Sequence, residues 1–180
     1  FLGPGARLAH LCHARLGEGA RLHLTRRARL GPEARLESTL IFLGGQAVKV
    51  DHGALLAGAG AGSRLRSLAF CEGRQHLDLH TLHHHQAPRT ISDMSVKVAV
   101  AGRSRSIYTG LIRIDPSCPG AEAYQENRNL ILSPRARAEA LPELEILTDD
   151  VLCTHGATLS PVDAEQLFYL ESREIGRAHV

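Results

Sequence analysis

Apolar residues recur at every second position in short runs: Val96, Val98 and Val100, then Ile112 and Ile114, then Leu130 and Leu132, then Leu144 and Ile146. A period of two puts alternate side chains on opposite faces of an extended chain, so each run predicts a strand with the named residues on its buried face. The first third carries a degenerate repeat, Gly5-Ala6-Arg7-Leu8, Gly19-Ala20-Arg21-Leu22 and Glu33-Ala34-Arg35-Leu36, spaced 14 residues apart. Strands at such regular intervals, parted by glycine-rich corners such as Gly58-Ala59-Gly60-Ala61-Gly62, predict rungs that stack, and hence an all-β core built as a parallel β-helix. An antiparallel sandwich also accommodates evenly spaced strands. The chain contains no Asn-Gly or Asp-Gly, the dipeptides that favour two-residue hairpins, and this weighs against the sandwich.

The pattern changes at Ser160-Pro161-Val162-Asp163, where a Ser N-cap, a Pro at the first helical position and an acid at the third predict the start of a helix running through 164–172. The expected organisation is a β-helix core over 1–159 and the start of a C-terminal helical segment over 160–173. Residues 174–180 (EIGRAHV) read as a translated adaptor sequence, the alternative being a short natural tail, and are set aside. The chain opens on Phe1 with no initiator Met, so the native N-terminus is expected upstream.

Aromatic residues make up only 4% of the chain and Trp is absent, which predicts an aliphatic core. Lys and Arg number 21 against 19 Asp and Glu, so no charge excess points to nucleic acid or to a membrane surface. No run approaches the roughly 20 apolar residues that span a bilayer. Cys12, Cys71, Cys118 and Cys153 lie far apart without a C-x-x-C pair, which argues against a zinc ribbon or a disulfide framework and fits a reducing cytoplasm.

Five features are weighed for possible chemistry. In an extended Cys153-Thr154-His155, the thiol and the imidazole share one face, which is half of a metal site. The bland alternative is a buried small thiol beside a hydrogen-bonded loop histidine. A second cluster, His76, His80, His83, His84 and His85, can in principle bind Zn, Ni or Cu as a self-contained site, although alternation turns His84 away from its neighbours. A partly solvated strand end is the simpler expectation for it. Asp149 and Asp150 are the only carboxylate pair worth weighing for a carbohydrate-cleaving β-helix, and adjacent strand residues face opposite ways, so turn or edge residues are expected instead. Gly58 to Gly62 lacks the Gly-Lys-Ser/Thr ending of a phosphate loop and is read as a corner. Arg26, Arg27 and Arg29 can contact an anion, but three basic residues in a mixed-charge chain are read as a solvated face and assigned no function.

The stretch from Ala123 to Ser133 (AYQENRNLILS), Pro142 to Ile146 (PELEI), Asp149 to Thr158 (DDVLCTHGAT) and Gln166 to Leu170 (QLFYL) resembles, in order and spacing, the C-terminal half of the SufD branch of the SufB/SufD core family. Gly73 to Asp78 (GRQHLD) and His85 to Ser92 (HQAPRTIS) are similar to that family's core, so the resemblance covers nearly all of 1–173. The sister SufB branch typically reads Glu-His-Glu-Ala-Thr where this chain has Thr154 to Thr158, and its Cys-Gly-Ala-His segment is not found here.

The resemblance implies a right-handed parallel β-helix, not itself an enzyme, that pairs with SufB while C-terminal helices dock the ATPase SufC. It implies that His155 helps hold iron or a nascent iron–sulfur cluster shared with SufB, with Cys153 a weaker neighbour and no cluster bound stably by this chain alone. Two departures stand out. Pro116 to Ala121 (PSCPGA) replaces a stretch that in many relatives reads Gly-Ala-Gln-Lys-Thr, which leaves Cys118 an unassigned thiol. The SufC-docking helices are largely missing.

Overall fold

Backbone turns that few residues tolerate set the path of the chain. In the computed structural model, which describes residues 1–161 together with Glu165, Phe168, Tyr169 and Ser172, the repeat glycines Gly5 and Gly19 adopt φ of 67° and 82°. Glu33 takes the equivalent left-handed position at φ 56° in the third repeat, where a Cβ makes the conformation costly. Each of these residues stands two positions before a strand. The described residues form eleven strands: β1 (Arg7–Leu16), β2 (Arg21–Leu30), β3 (Arg35–Gly44), β4 (Ala47–Leu56), β5 (Gly62–Cys71), β6 (His76–His85), β7 (Ile91–Val100), β8 (Arg105–Ile114), β9 (Ala121–Ile131), β10 (Arg137–Ile146) and β11 (Val151–Pro161).

All pairings are parallel and skip one strand, so odd and even strands build separate sheets. The order is β1-β3-β5-β7-β9-β11 in one and β10-β8-β6-β4-β2 in the other. The chain is therefore the expected parallel β-helix, with two strands to a coil. The 14-residue repeat is half a coil. Arg7 pairs with Arg35, stacking the first and third copies, while the second copy opens β2 on the opposite sheet. Among the described residues no helix is long and apolar enough to cross a membrane.

Gly58, in the corner between β4 and β5, lies so close to the coil before it that a Cβ there would sit inside the backbone of Gly31 and Pro32. The glycine-rich stretch is thus a corner, and its demand is for close backbone approach as much as for turning.

Between the sheets, Val48, Val50, Leu40, Leu65, Leu79, Met94, Val96, Val98, Ile112 and Ile114 form the apolar core, and Tyr108 is its largest fully buried side chain. Three expectations need correction. Leu130 and Leu132 are 42% and 40% exposed on the outside, and the inward positions of β9 are Gln125, Asn127 and Asn129. The register decides this, because Asn127 pairs with buried Val96 and Asn129 with buried Val98. The amides survive burial by bonding to the preceding coil and to one another: Gln125 Nε2 donates to the Gly110 carbonyl (3.2 Å), Asn127 Nδ2 to the Val96 carbonyl (3.3 Å), and Asn129 Nδ2 to Asn127 Oδ1. The core is therefore not wholly aliphatic.

The second correction concerns the C-terminal cap. Ser160 and Pro161 continue β11, in register with Leu130 and Ile131, and do not cap a helix. Pro161 lacks an N–H, which is tolerated because β11 is, among the described residues, an edge strand paired with β9 alone. Glu165, Phe168, Tyr169 and Ser172 are helical, and all four fall within the stretch 164–172 that the sequence reads as helix. Residues 174–180 lie outside the described residues.

The histidine cluster divides by strand alternation. His76, His80 and His84 face outward, His80 bonding Asp78 (2.8 Å) and His84 bonding Asp115 (3.0 Å). His83 and His85 are fully buried, which corrects the expectation of a solvated strand end for these two. Inside the helix they find hydroxyl partners: Ser63 for His83 (3.1 Å), and Thr90 (2.7 Å) and Ser92 (2.9 Å) for His85. Burial, with His84 nearby, pushes His85 down to about 4, and burial with the rings of His52 and His85 holds His83 well below its ordinary value.

Two predictions follow from this interior. The buried rings resist protonation when folded and accept it near pH 6.5 when unfolded, so they leave stability intact above pH 6.5 and remove it as pH falls from 6.5 towards 4. Guanidinium unfolding at stepped pH should show this loss, of order 3 kcal/mol for one ring shifted as far as His85, and His85→Gln should flatten the slope. Gly58→Ala should lower stability by about 2 kcal/mol or more, because the obstacle is backbone that cannot move aside; an unchanged denaturation midpoint would contradict the close approach.

Candidate functional site

Cys153 and His155 lie on β11, the strand that opens a further turn beyond the five two-strand coils. Cys153 pairs with Ala123 and His155 with Gln125, both inward-facing positions of β9. The two side chains therefore share the inner face, as the sequence spacing required. They differ in cover. Cys153 is half-buried against the apolar core, and burial pushes its thiol above the ordinary range, whereas His155 is exposed. The cause is positional: sheet partners cover the inner face of β9, while nothing among the described residues stacks on β11 from the other side.

The inner column that ends at His155 contains an unfilled acceptor. Gln125 spends its amide N–H on Gly110, and its Oε1 is buried without a partner. Asn129 Oδ1, two inward positions along β9, is in the same condition, while its Nδ2 also reaches the Thr158 carbonyl of β11 (3.4 Å). These inward amides border the Cys153 and His155 face, and sequence reading missed them. Alternation within Gln125-Glu126-Asn127-Arg128-Asn129 signals a strand, but the leucines after it set the wrong parity.

Gly110 belongs to the same layer. A Cβ on it would collide with the Tyr108 hydroxyl and the Gln125 amide. Tyr108 in turn bonds Thr81 Oγ1 (3.0 Å), and burial pushes its hydroxyl up to about 12. The polar groups next to the β11 face are thus held by close packing, which keeps that face in one geometry.

Other candidates do not converge. Among the described residues no group of three or more His, Cys, Asp or Glu side chains is arranged to hold a metal ion. The outward and inward histidines of β6 cannot act as one ligand set, because the sheet separates them. Asp149 and Asp150 are exposed residues of the turn before β11, where the Asp150 carbonyl accepts the Gly120 N–H (2.7 Å), as a turn reading expects. Cys118 is fully buried between β8 and β9 and donates its S–H to the His85 carbonyl (3.2 Å). Burial raises its pKa, so it is a packed thiol. Cys71 is likewise buried, its thiol pushed up to about 11.

The arrangement supplies one imidazole and one thiol from an edge strand. Imidazole and thiolate suit iron and iron–sulfur clusters, and about four ligands complete such a centre, so further ligands must come from outside these two residues.

Residues 1–179 match the family described as SUF system FeS cluster assembly, SufBD core domain. The iron–sulfur cluster assembly SufBD family protein of Mycobacterium leprae is 34% identical over 144 residues, covering 76% of this chain and 37% of its own length. The iron–sulfur cluster assembly protein SufD of Escherichia coli is 33% identical over 135 residues, covering 75% of this chain and 32% of its own length. A chloroplastic protein of Arabidopsis thaliana, ABCI7, is 36% identical over 114 residues, covering 63% of this chain and 24% of its own length. The matched region thus spans about a third or less of these curated relatives. With a family match along almost its whole length, the chain belongs to the SufBD core family of the SUF iron–sulfur cluster assembly system.

Proposed function

We propose that this chain is a non-catalytic scaffold subunit that pairs, in the cytoplasm, with a SufB-type partner and helps build a nascent iron–sulfur cluster at the shared interface. The single observation that carries this reading is the shared inner face of Cys153 and His155 on the unstacked strand β11. An edge strand is a template for another chain, because its free N–H and C=O groups seek a ladder. A partner strand added there brings its own side chains against the same face and can complete the ligand set. The cluster is cargo on this reading: His155 is the ligand to iron or to the nascent cluster, and Cys153 is a weaker neighbour whose raised thiol pKa disfavours the thiolate form.

ATP hydrolysis belongs, in this proposal, to a SufC-type subunit docked through C-terminal helices. The helical residues Glu165, Phe168, Tyr169 and Ser172 are where such a segment begins. Membership of a cluster-assembly family and likeness to a relative named SufD support the scaffold role over a self-contained metal protein or a carbohydrate enzyme.

The test is anaerobic reconstitution of the chain with SufB- and SufC-type partners, with and without His155→Ala, measuring bound iron and sulfide. Cluster content should fall several-fold in the variant while the circular dichroism of the β-helix is unchanged, since His155 is exposed and supports no core packing. Equal iron and sulfide in both would remove His155 from the site.

A further inference from the structure

The interior near β1 and β2 holds a positive charge that no carboxylate among the described residues balances. Arg26 occupies an inward position of β2, between Leu24 and Ala28 on the same face, and this corrects the reading of Arg26 as part of a solvated surface. Its neighbours Arg27 and Arg29 do face outward. The guanidinium of Arg26 lies against the ring of His10 on β1, with Nη1 2.7 Å from Nδ1. Among the described residues no carboxylate is within ion-pair distance of it; the salt bridges of the outer faces engage Arg35, Arg64, Arg66, Arg105, Arg113 and Arg128 instead.

His52 stands next to Arg26 in the same inward column of the sheet. It is only 4% exposed, and both of its ring nitrogens are buried without a partner. Ser38, 3% exposed, lies beside His10 in the facing sheet. The charges acting on His52 come from Arg26, His10 and Arg27, all basic, and together with burial they push it down to about 4. Arg27 is committed elsewhere, donating to the carbonyls of Arg26 and Asp51. Asp51 itself faces outward, beside His23.

An inward guanidinium that meets only the His10 ring, and an imidazole with neither nitrogen partnered, share one layer with the buried Ser38 side chain, and an inward cation without a counter-charge is costly unless an anion accompanies it. We propose that the layer formed by His10, Arg26, Ser38 and His52 binds a small inorganic anion of about chloride's size between the two sheets. Arg26 supplies the charge and His52 an N–H donor. This site is separate from the Cys153 and His155 face, on strands at the other end of both sheets.

The probe is halide. In solution, the chain is titrated with sodium chloride at constant ionic strength, the balance made up with gluconate, which is too bulky to enter. Chloride should raise the melting temperature and shift the His52 ring ¹⁵N resonances towards the doubly protonated form. Arg26→Gln should weaken the fitted affinity by roughly tenfold or more, as loss of a charge-assisted hydrogen bond implies, while Arg26→Lys retains part of it. In a crystal grown or soaked in bromide, an anomalous peak should lie between Arg26 and His52. A chloride response identical in the wild type and Arg26→Gln overturns the proposal. So does a bromide-soaked wild-type crystal with no peak between these residues, which would mean that the layer holds water only; this second measurement decides the matter even if Arg26→Gln does not fold.

Discussion

Everything in this protein depends on the parallel hydrogen-bond ladder between successive coils. Because each strand pairs with the strand two further along, in register for ten or so residues, a side chain at one position is stacked on its counterpart one coil away. A ladder of this kind repeats whatever it is given. Apolar columns such as Phe42, Ala69 and Val98 build the core, while the column from Arg26 through His52 to Thr81 carries polar groups inward. A parallel sheet closed on both faces leaves no choice about which residues are interior once one residue of a strand is placed.

The polar interior is the consequence that separates this β-helix from a plain apolar stack. His83, His85, Gln125, Asn127 and Asn129 are buried at 0% to 3% exposure, and each bonds a hydroxyl, an amide or a carbonyl of a neighbouring strand or coil. Such groups are tolerable only where the partner is built in, so they tie one coil to the next in a single register more strictly than interchangeable leucines can. The few buried atoms without partners, on His52, His83, Ser106, Gln125 and Asn129, mark where this interior is incomplete. Two of those residues, Gln125 and Asn129, border the β11 face, and His52 lies beside an unbalanced Arg26.

The two ends of the sheets therefore differ in chemical character. Around β1 and β2 the inward groups are basic; around β9 and β11 they are neutral amides, a thiol and an imidazole, the softer and less charged environment in which iron can be held. Family membership places the chain in iron–sulfur cluster assembly. The geometry adds that Cys153 and His155 sit on a strand whose inner face nothing among the described residues covers.

The sequence by itself determined the fold and much of the site. Period-two alternation and the 14-residue repeat are local properties of strands and corners, so they predict stacked rungs without knowledge of contacts, and Cys153 and His155 share a face for the same local reason. What alternation cannot supply is parity, meaning which of two faces is inside. Leu130 and Leu132 read as buried and are exposed, because Asn127 and Asn129 hold the inward positions of β9; Arg26 reads as solvated and faces inward for want of the same information. Parity is set by register against the neighbouring coil, 26 to 32 residues away, through backbone hydrogen bonds that carry no signature in side-chain identity. The extension of β11 through Pro161, past a good helix-capping signal, has the same origin: pairing with β9 holds the strand, and local propensity yields to the ladder.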